Sequence, residues 1–156
     1  FLGICLGMQC AVIEYARNVL NMTDANSTEI DSKTKSPVIN IMENQHNIEN
    51  KGGTMRLGSY KCTLDKNSNS YNAYQNTKIQ ERHRHRYEFN NSYLNDFNNS
   101  GMNCVGENPE NKLVEIVEIP SHPWFVGVQF HPEYSSTVLN PHPLFSGFID
   151  ACIKNK

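Results

Sequence analysis

Three features of this 156-residue chain predict an α/β fold. A short apolar run at the start passes, across glycines, into a pattern with apolar residues three and four apart. Runs rich in β-branched and aromatic residues follow at 102–106, 113–119 and 124–130. A second helical pattern closes the chain at 143–153. Strands and helices intermix along the sequence, and the length fits one domain.

The elements follow in order. Residues 1–4 read as a short buried strand. Over 6–20, Met8, Ala11, Val12, Tyr15, Ala16 and Val19 form the apolar stripe of an amphipathic helix. Gly3 and Gly7 permit a sharp turn between the two. Residues 21–50 are polar and irregular apart from a strand candidate at 37–42. Residues 51–58 read as a glycine-rich loop and 59–64 as a strand. The Asn- and Ser-rich stretch at 66–76 reads as a surface loop. The charged run at 78–89 precedes a short helix at 92–100 closed by Gly101. Because the chain opens on what reads as the end of a buried strand, an upstream part is expected to be missing from this sequence.

Composition excludes several function classes. Fourteen Lys and Arg balance sixteen Asp and Glu, so no global basic excess points to nucleic acid or an anionic membrane surface. No apolar run approaches the roughly 18–20 residues that span a bilayer, and no signal peptide is visible. Five cysteines without framework spacing suit a reducing, cytoplasmic setting.

Two short motifs carry chemistry. Gly3-Ile4-Cys5-Leu6-Gly7 has the layout of a nucleophile elbow, which exposes a side chain between a strand and a helix. The helix N-terminus beside Cys5 favours thiolate and predicts a lowered thiol pKa. The N–H of Leu6 is a candidate oxyanion donor. A small buried cysteine fits this pentapeptide equally well. In Gln129-Phe130-His131-Pro132-Glu133, His131 is a candidate base and later acid, and Glu133 a candidate for orienting its ring. Taken alone, these residues more often form a loop histidine beside an exposed glutamate.

Together the pieces resemble the triad, or class I, glutamine amidotransferases. More narrowly they resemble the C-terminal glutaminase domains of the CTP synthase family. The motif from Phe1 to Gln9 matches, as does the helix through Ala11-Val12-Ile13-Glu14-Tyr15-Ala16-Arg17-Asn18. Four more segments match in order: Ala25-Asn26-Ser27-Thr28-Glu29, Gly52-Gly53-Thr54-Met55-Arg56-Leu57-Gly58, Glu81-Arg82-His83-Arg84-His85-Arg86-Tyr87-Glu88 and His122-Pro123-Trp124-Phe125.

The resemblance implies a flavodoxin-like open sheet with flanking helices, its first strands absent from this sequence. Residues 1–156 would be a partial glutaminase domain with polar loop insertions at 21–50 and 66–76, and without the synthetase domain. It implies that Cys5 attacks the side-chain amide of L-glutamine through a thioester, with His131 and Glu133 completing the triad. Leu6, Gly7, Met8, Gln9, Glu29 and Arg86 would bind glutamine, Glu29 at the α-ammonium and Arg86 at the α-carboxylate. Gly53, Thr54 and Arg56 would belong to a lid or effector contact. No cofactor is implied for this domain. The parent enzyme would use ATP and Mg to aminate UTP to CTP on a synthetase domain, respond to GTP as activator, and form a homo-oligomer.

Two departures bear on activity. The synthetase domain is absent, and the family's second oxyanion donor lies in a turn upstream of the cysteine motif. Loss of one such donor typically costs about 2.7–4 kcal/mol of transition-state stabilisation, which leaves activity of the fragment alone open. Two alternatives stand beside this reading: the glutaminase of another amidotransferase, and a non-catalytic remnant acting in docking or assembly. His83 and His85 would share one side of a strand and the three arginines around them the other. Without an acidic or cysteine ligand set, a metal site is not expected there. Cys10, Cys62, Cys104 and Cys152 are expected to be packing residues, His122 a loop residue or a strand-start hydrogen bonder, and His142 part of the turn leading to the final helix.

Overall fold

The computed structural model describes residues 1–41 and 55–156. Of the expected lid residues, Gly53 and Thr54 lie outside the described residues. The chain begins with β1 (Leu2–Ile4) and α1 (Leu6–Asn18), followed by β2 (Asn26–Ser27) and β3 (Pro37–Ile41). The long strand β4 (Arg56–Leu64), the short helix α2 (Asn69–Tyr74) and β5 (Lys78–His85) come next. Then follow β6 (Tyr87–Phe89), α3 (Leu94–Ser100), β7 (Asn103–Glu107), β8 (Val114–Glu118), β9 (Val126–Val128) and α4 (Pro143–Lys154).

Six strands form one sheet in the order β1-β9-β8-β7-β4-β5, and β2-β3-β6 form a small second sheet. Among the described residues of the larger sheet, only β1 and β9 run parallel, with Ile4 opposite Val128; the other neighbours are antiparallel. The α/β expectation holds, but this is a mixed sheet rather than a parallel one.

The sheet lies between two apolar layers. Met8, Val12 and Ala16 of α1 pack with Val38, Ile39, Phe89 and Phe97 on one side. Val126, Val128, Phe130, Trp124 and Leu144 pack on the other, where α2 meets α4. β8 is buried along its whole length, with Ile116 and Val117 joining opposite layers. A strand covered on both faces is apolar on both faces, yet this one also buries Glu115 and Glu118.

Three expectations need correction. Residues 66–76 contain α2 rather than only a surface loop. Ser68 caps it by accepting from Tyr71 N–H, and the buried Glu118 carboxylate accepts from the N–H groups of Asn69 and Ser70. Arg56, Leu57 and Gly58 belong to β4, not to a loop, because β4 pairs with β5 from Arg56 opposite His85 onwards. Cys10 and Cys152 are exposed rather than packed, since they fall on the outer faces of α1 and α4. The alternation in β5 agrees with expectation: Glu81, His83 and His85 are buried, while Arg82 and Arg84 face outward.

Candidate active site

The pairing of β1 with β9 creates the site. Both strands end at the same level, and each passes directly into a polar residue of interest. Cys5 follows β1 and donates its N–H to Val128 O at 2.7 Å. Its φ of 50° and ψ of −105° lie outside the ordinary L-residue regions. Such backbone strain costs on the order of 1–3 kcal/mol and persists only where the surroundings impose it. Here the strand ladder holds one side and the first turn of α1 the other, with Gln9 N–H on Cys5 O at 3.2 Å. Gly3 is required at this turn: a Cβ there would come within 2.9 Å of the Gly7 backbone.

His131 lies three residues beyond the end of β9. Its N–H donates to Arg82 O at 2.8 Å, which ties this segment to β5. Nδ1 is 2.6 Å from Glu133 Oε1, so the neutral ring carries its proton on Nδ1 and presents Nε2 as a base. Nε2 is buried and has no hydrogen-bond partner among the described residues. Pro132 opens a single 3₁₀ turn over Pro132–Ser135, which brings Glu133 back to the ring. Tyr134 lies against the imidazole with centroids 5.2 Å apart.

Burial pushes the Cys5 thiol pKa up, against the sequence expectation. The Leu6 N–H and the Gln129 amide favour the thiolate, while Glu133 and Glu88 oppose it. Burial therefore outweighs the donors that favour the thiolate. Such a thiol needs a base at the moment of attack.

The remaining expected residues divide into two groups. Leu6 is exposed, and a Cβ on Gly7 would meet nothing within 4 Å. Met8 is wholly buried in the core, and Gln9 is buried with Nε2 donating to Tyr87 O at 3.0 Å and to Gln129 Oε1 at 3.3 Å. Arg86 is half-buried between β5 and β6, adjacent to the Tyr87 carbonyl that Gln9 reaches. Glu29 is exposed in the turn after β2.

Arg56 is only 5% exposed. Its Nη1 lies 3.1 Å from Glu88 and its Nη2 2.7 Å from Glu115. The expected lid contact is thus a buried cation joining β4, β6 and β8. Two carboxyls share this one guanidinium, and burial pushes Glu88 up to about 8.

Sequence reasoning missed Gln129, Tyr87, Glu88 and Glu115 at the site. The signal for the last was present: a glutamate inside the run Val114-Glu115-Ile116-Val117 requires a buried partner. Among the described residues, no group of three or more His, Cys, Asp or Glu could hold a metal ion.

The family model of the class-I glutamine amidotransferases matches residues 1–151. The chain belongs to this family. It is 66% identical over 151 residues to a CTP synthase of Bacteroides fragilis, covering 97% of this chain and 28% of that protein. A CTP synthase of Clostridium beijerinckii is 59% identical over 154 residues, with 99% and 29% covered. The chain thus spans less than a third of the length of these relatives. Among solved structures, the Trypanosoma brucei CTPS glutaminase domain with bound acivicin superimposes with a TM-score of 0.90 at 38% identity, covering 98% of this chain and 60% of that one. A putative GMP synthase subunit from Thermoplasma acidophilum, 16% identical, has a TM-score of 0.62 and shares the fold; that match covers 99% of this chain and 57% of that one. This amidotransferase domain therefore corresponds to the glutaminase part of a CTP synthase.

Proposed function

We propose that the domain hydrolyses the side-chain amide of L-glutamine, with Cys5 as nucleophile, His131 as base and acid, and Glu133 as its orienter. The carrying observation is the His131 ring. Its Nδ1 is held by Glu133 at 2.6 Å and its Nε2 is buried and unengaged among the described residues, in the segment that follows β9, the strand paired with β1. That arrangement leaves a basic nitrogen for one task, accepting the thiol proton.

The steps balance as follows. Nε2 takes the proton from Sγ as the sulfur bonds to the amide carbon. The Leu6 N–H faces the oxygen that becomes negative. Nε2 returns the proton to the departing nitrogen, the C–N bond breaks, and ammonia leaves a thioester. Water, deprotonated by the same nitrogen, attacks the thioester; the S–C bond breaks and glutamate departs with Cys5 restored. Glu29 would pair with the α-ammonium of the substrate and Arg86 with its α-carboxylate. Backbone groups of Gly7 and Met8 would border the amide, and Gln9 would act from behind it. Arg56 would support the site by holding β4, β6 and β8 together, with Gly53 and Thr54 in the adjoining lid.

In a full-length protein of the CTP synthase type, the ammonia would aminate UTP after activation by ATP with Mg, with GTP as activator. Those reactions belong to a synthetase domain outside this chain. The test is glutamate release from glutamine, alone and with that synthetase part supplied, against Cys5→Ala. Cys5→Ala is expected to abolish release. Acivicin, bound by the Trypanosoma relative, is expected to add covalently to Cys5 in the wild type and not in the variant, read by intact mass. Release that survives Cys5→Ala would remove the proposal.

A further inference from the structure

Gln129 follows β9 directly and is completely buried. A buried amide is stable only when its donors and acceptor are matched. Its backbone N–H is fixed on Glu115 O at 2.9 Å. Its side chain extends between two named groups: Oε1 lies 3.3 Å from Gln9 Nε2, and Nε2 lies 3.8 Å from Cys5 Sγ.

The direction of this amide follows from its neighbours. The Tyr87 carbonyl can only accept, so the Gln9 terminus facing it at 3.0 Å must be the NH₂ group. The second proton of that group then faces Gln129, whose nearer atom must be the carbonyl oxygen. The NH₂ of Gln129 is therefore left facing the sulfur. A backbone carbonyl thus sets, through two side-chain amides, a donor aimed at Cys5. A thiol sulfur accepts weakly and a thiolate strongly, so the last bond gains strength as the proton leaves.

We propose that Gln129 is a positioning residue for the nucleophile, holding Cys5 Sγ and favouring its thiolate through a donor whose direction Gln9 fixes. This rests on the reading of Cys5 as the attacking group. The other groups facing the sulfur make the donor consequential. Glu133 from the turn after β9 and Glu88 from β6 both resist negative charge there, and the Leu6 N–H of α1 supports it. The same geometry commits the Gln9 amide NH₂ inside the domain, and Gln9 then reaches the nucleophile through Gln129.

The test is alkylation of Cys5 by iodoacetamide in this chain, followed from about pH 6 to about pH 10 by peptide mass mapping. Exposed Cys152 serves as internal reference. Gln129→Met should slow Cys5 alkylation about three- to tenfold near neutral pH and move its profile upward, with Cys152 unchanged. Gln129→Glu, nearly identical in shape, should move the profile further, because it replaces the donor with a charged acceptor. A packing role alone would leave the Glu variant at the wild-type profile. Gln9→Met leaves Gln129 in place but frees its amide to turn, and should give a smaller shift of the same sign. It also decides the matter if the Gln129 variants unfold. Superimposable Cys5 profiles for wild type, Gln9→Met and whichever Gln129 variant folds would overturn the proposal. If these shifts occur but wild-type glutamate release does not depend on Cys5, the relay is supported and the glutaminase reading falls.

Discussion

At the scale of single residues, what separates a triad from three coincident side chains is the direction of each hydrogen bond. Glu133 accepts from His131 Nδ1 at 2.6 Å, and that bond decides which ring nitrogen is basic. Glu133→Gln keeps the shape but can hold the wrong tautomer, with the amide NH₂ turned towards Nδ1. We expect it to lower kcat for glutamate release on the order of 10²- to 10⁴-fold, with acivicin addition to Cys5 slowed in parallel. Fast addition with slow turnover would mean that Glu133 acts only on thioester hydrolysis. The placement of Cys5 between a strand and a helix, and of His131 beside Glu133, was legible in the sequence because each sits in a short motif containing glycine or proline. The Cys5 thiol pKa was not legible. Its rise reflects burial and the carboxylates of Glu133 and Glu88, which come from the loop after β9 and from β6. Local sequence around Cys5 contains neither.

At the scale of elements, α2 shows how tertiary contacts create a helix that composition disfavours. Asn69, Ser70 and Asn72 are poor helix formers, and six residues are too few to persist alone. The helix exists because Glu118 of β8 binds its first turn at three points: the N–H of Asn69 and the N–H and hydroxyl of Ser70, all within 2.8 Å. Glu118→Ala should leave these buried donors unmatched and destabilise the domain by about 2–4 kcal/mol. The check is the urea midpoint, and fragments cut within 66–76 by a protease should appear earlier in the variant. A midpoint unchanged from wild type would show that α2 stands on its packing against α4 instead. The same logic explains which elements could be read in advance. α1, α4 and β7 to β9 carry their periodicity locally. By contrast, α2 and the first turn of α4 depend on distant partners. His142 lies in the turn leading into the final helix, as expected; what was not legible is that it caps α4 through Leu144 N–H and is 2.9 Å from buried Glu81. Arg56 was placed in a loop because glycines precede it, whereas its β4 position is set by pairing with β5 and by two buried carboxylates.

At the scale of the whole domain, the polar cluster beneath the site couples stability to pH. Glu88 is pushed from 4.5 up to about 8, first by burial. His83 is pushed from 6.5 down to about 2 and His85 to about 3, by burial and then by the Arg56 charge. Folded Glu88 keeps a proton that the unfolded chain releases above its ordinary 4.5. Its contribution is therefore complete below that value and lost as pH rises towards about 8. Glu115, also raised by burial, acts in the same direction. The histidines work oppositely. Below 6.5 the unfolded chain gains protons that the folded cluster refuses, so their contribution is complete above 6.5 and lost as pH falls. Between about 4.5 and 6.5 the two tendencies oppose each other, which predicts a weaker pH dependence there than either alone would give. From 6.5 to 8 the histidines no longer contribute, and one carboxyl titrating over that window should remove roughly 2 kcal/mol. Urea midpoints across this range should therefore fall on the alkaline side in the wild type. Glu88→Gln keeps the shape and cannot ionise; its alkaline limb should flatten while the decline below about pH 4.5 persists. If the alkaline decline is the same in Glu88→Gln, the titrating proton does not lie on Glu88, and the matching experiment on Glu115→Gln decides whether that carboxyl holds it.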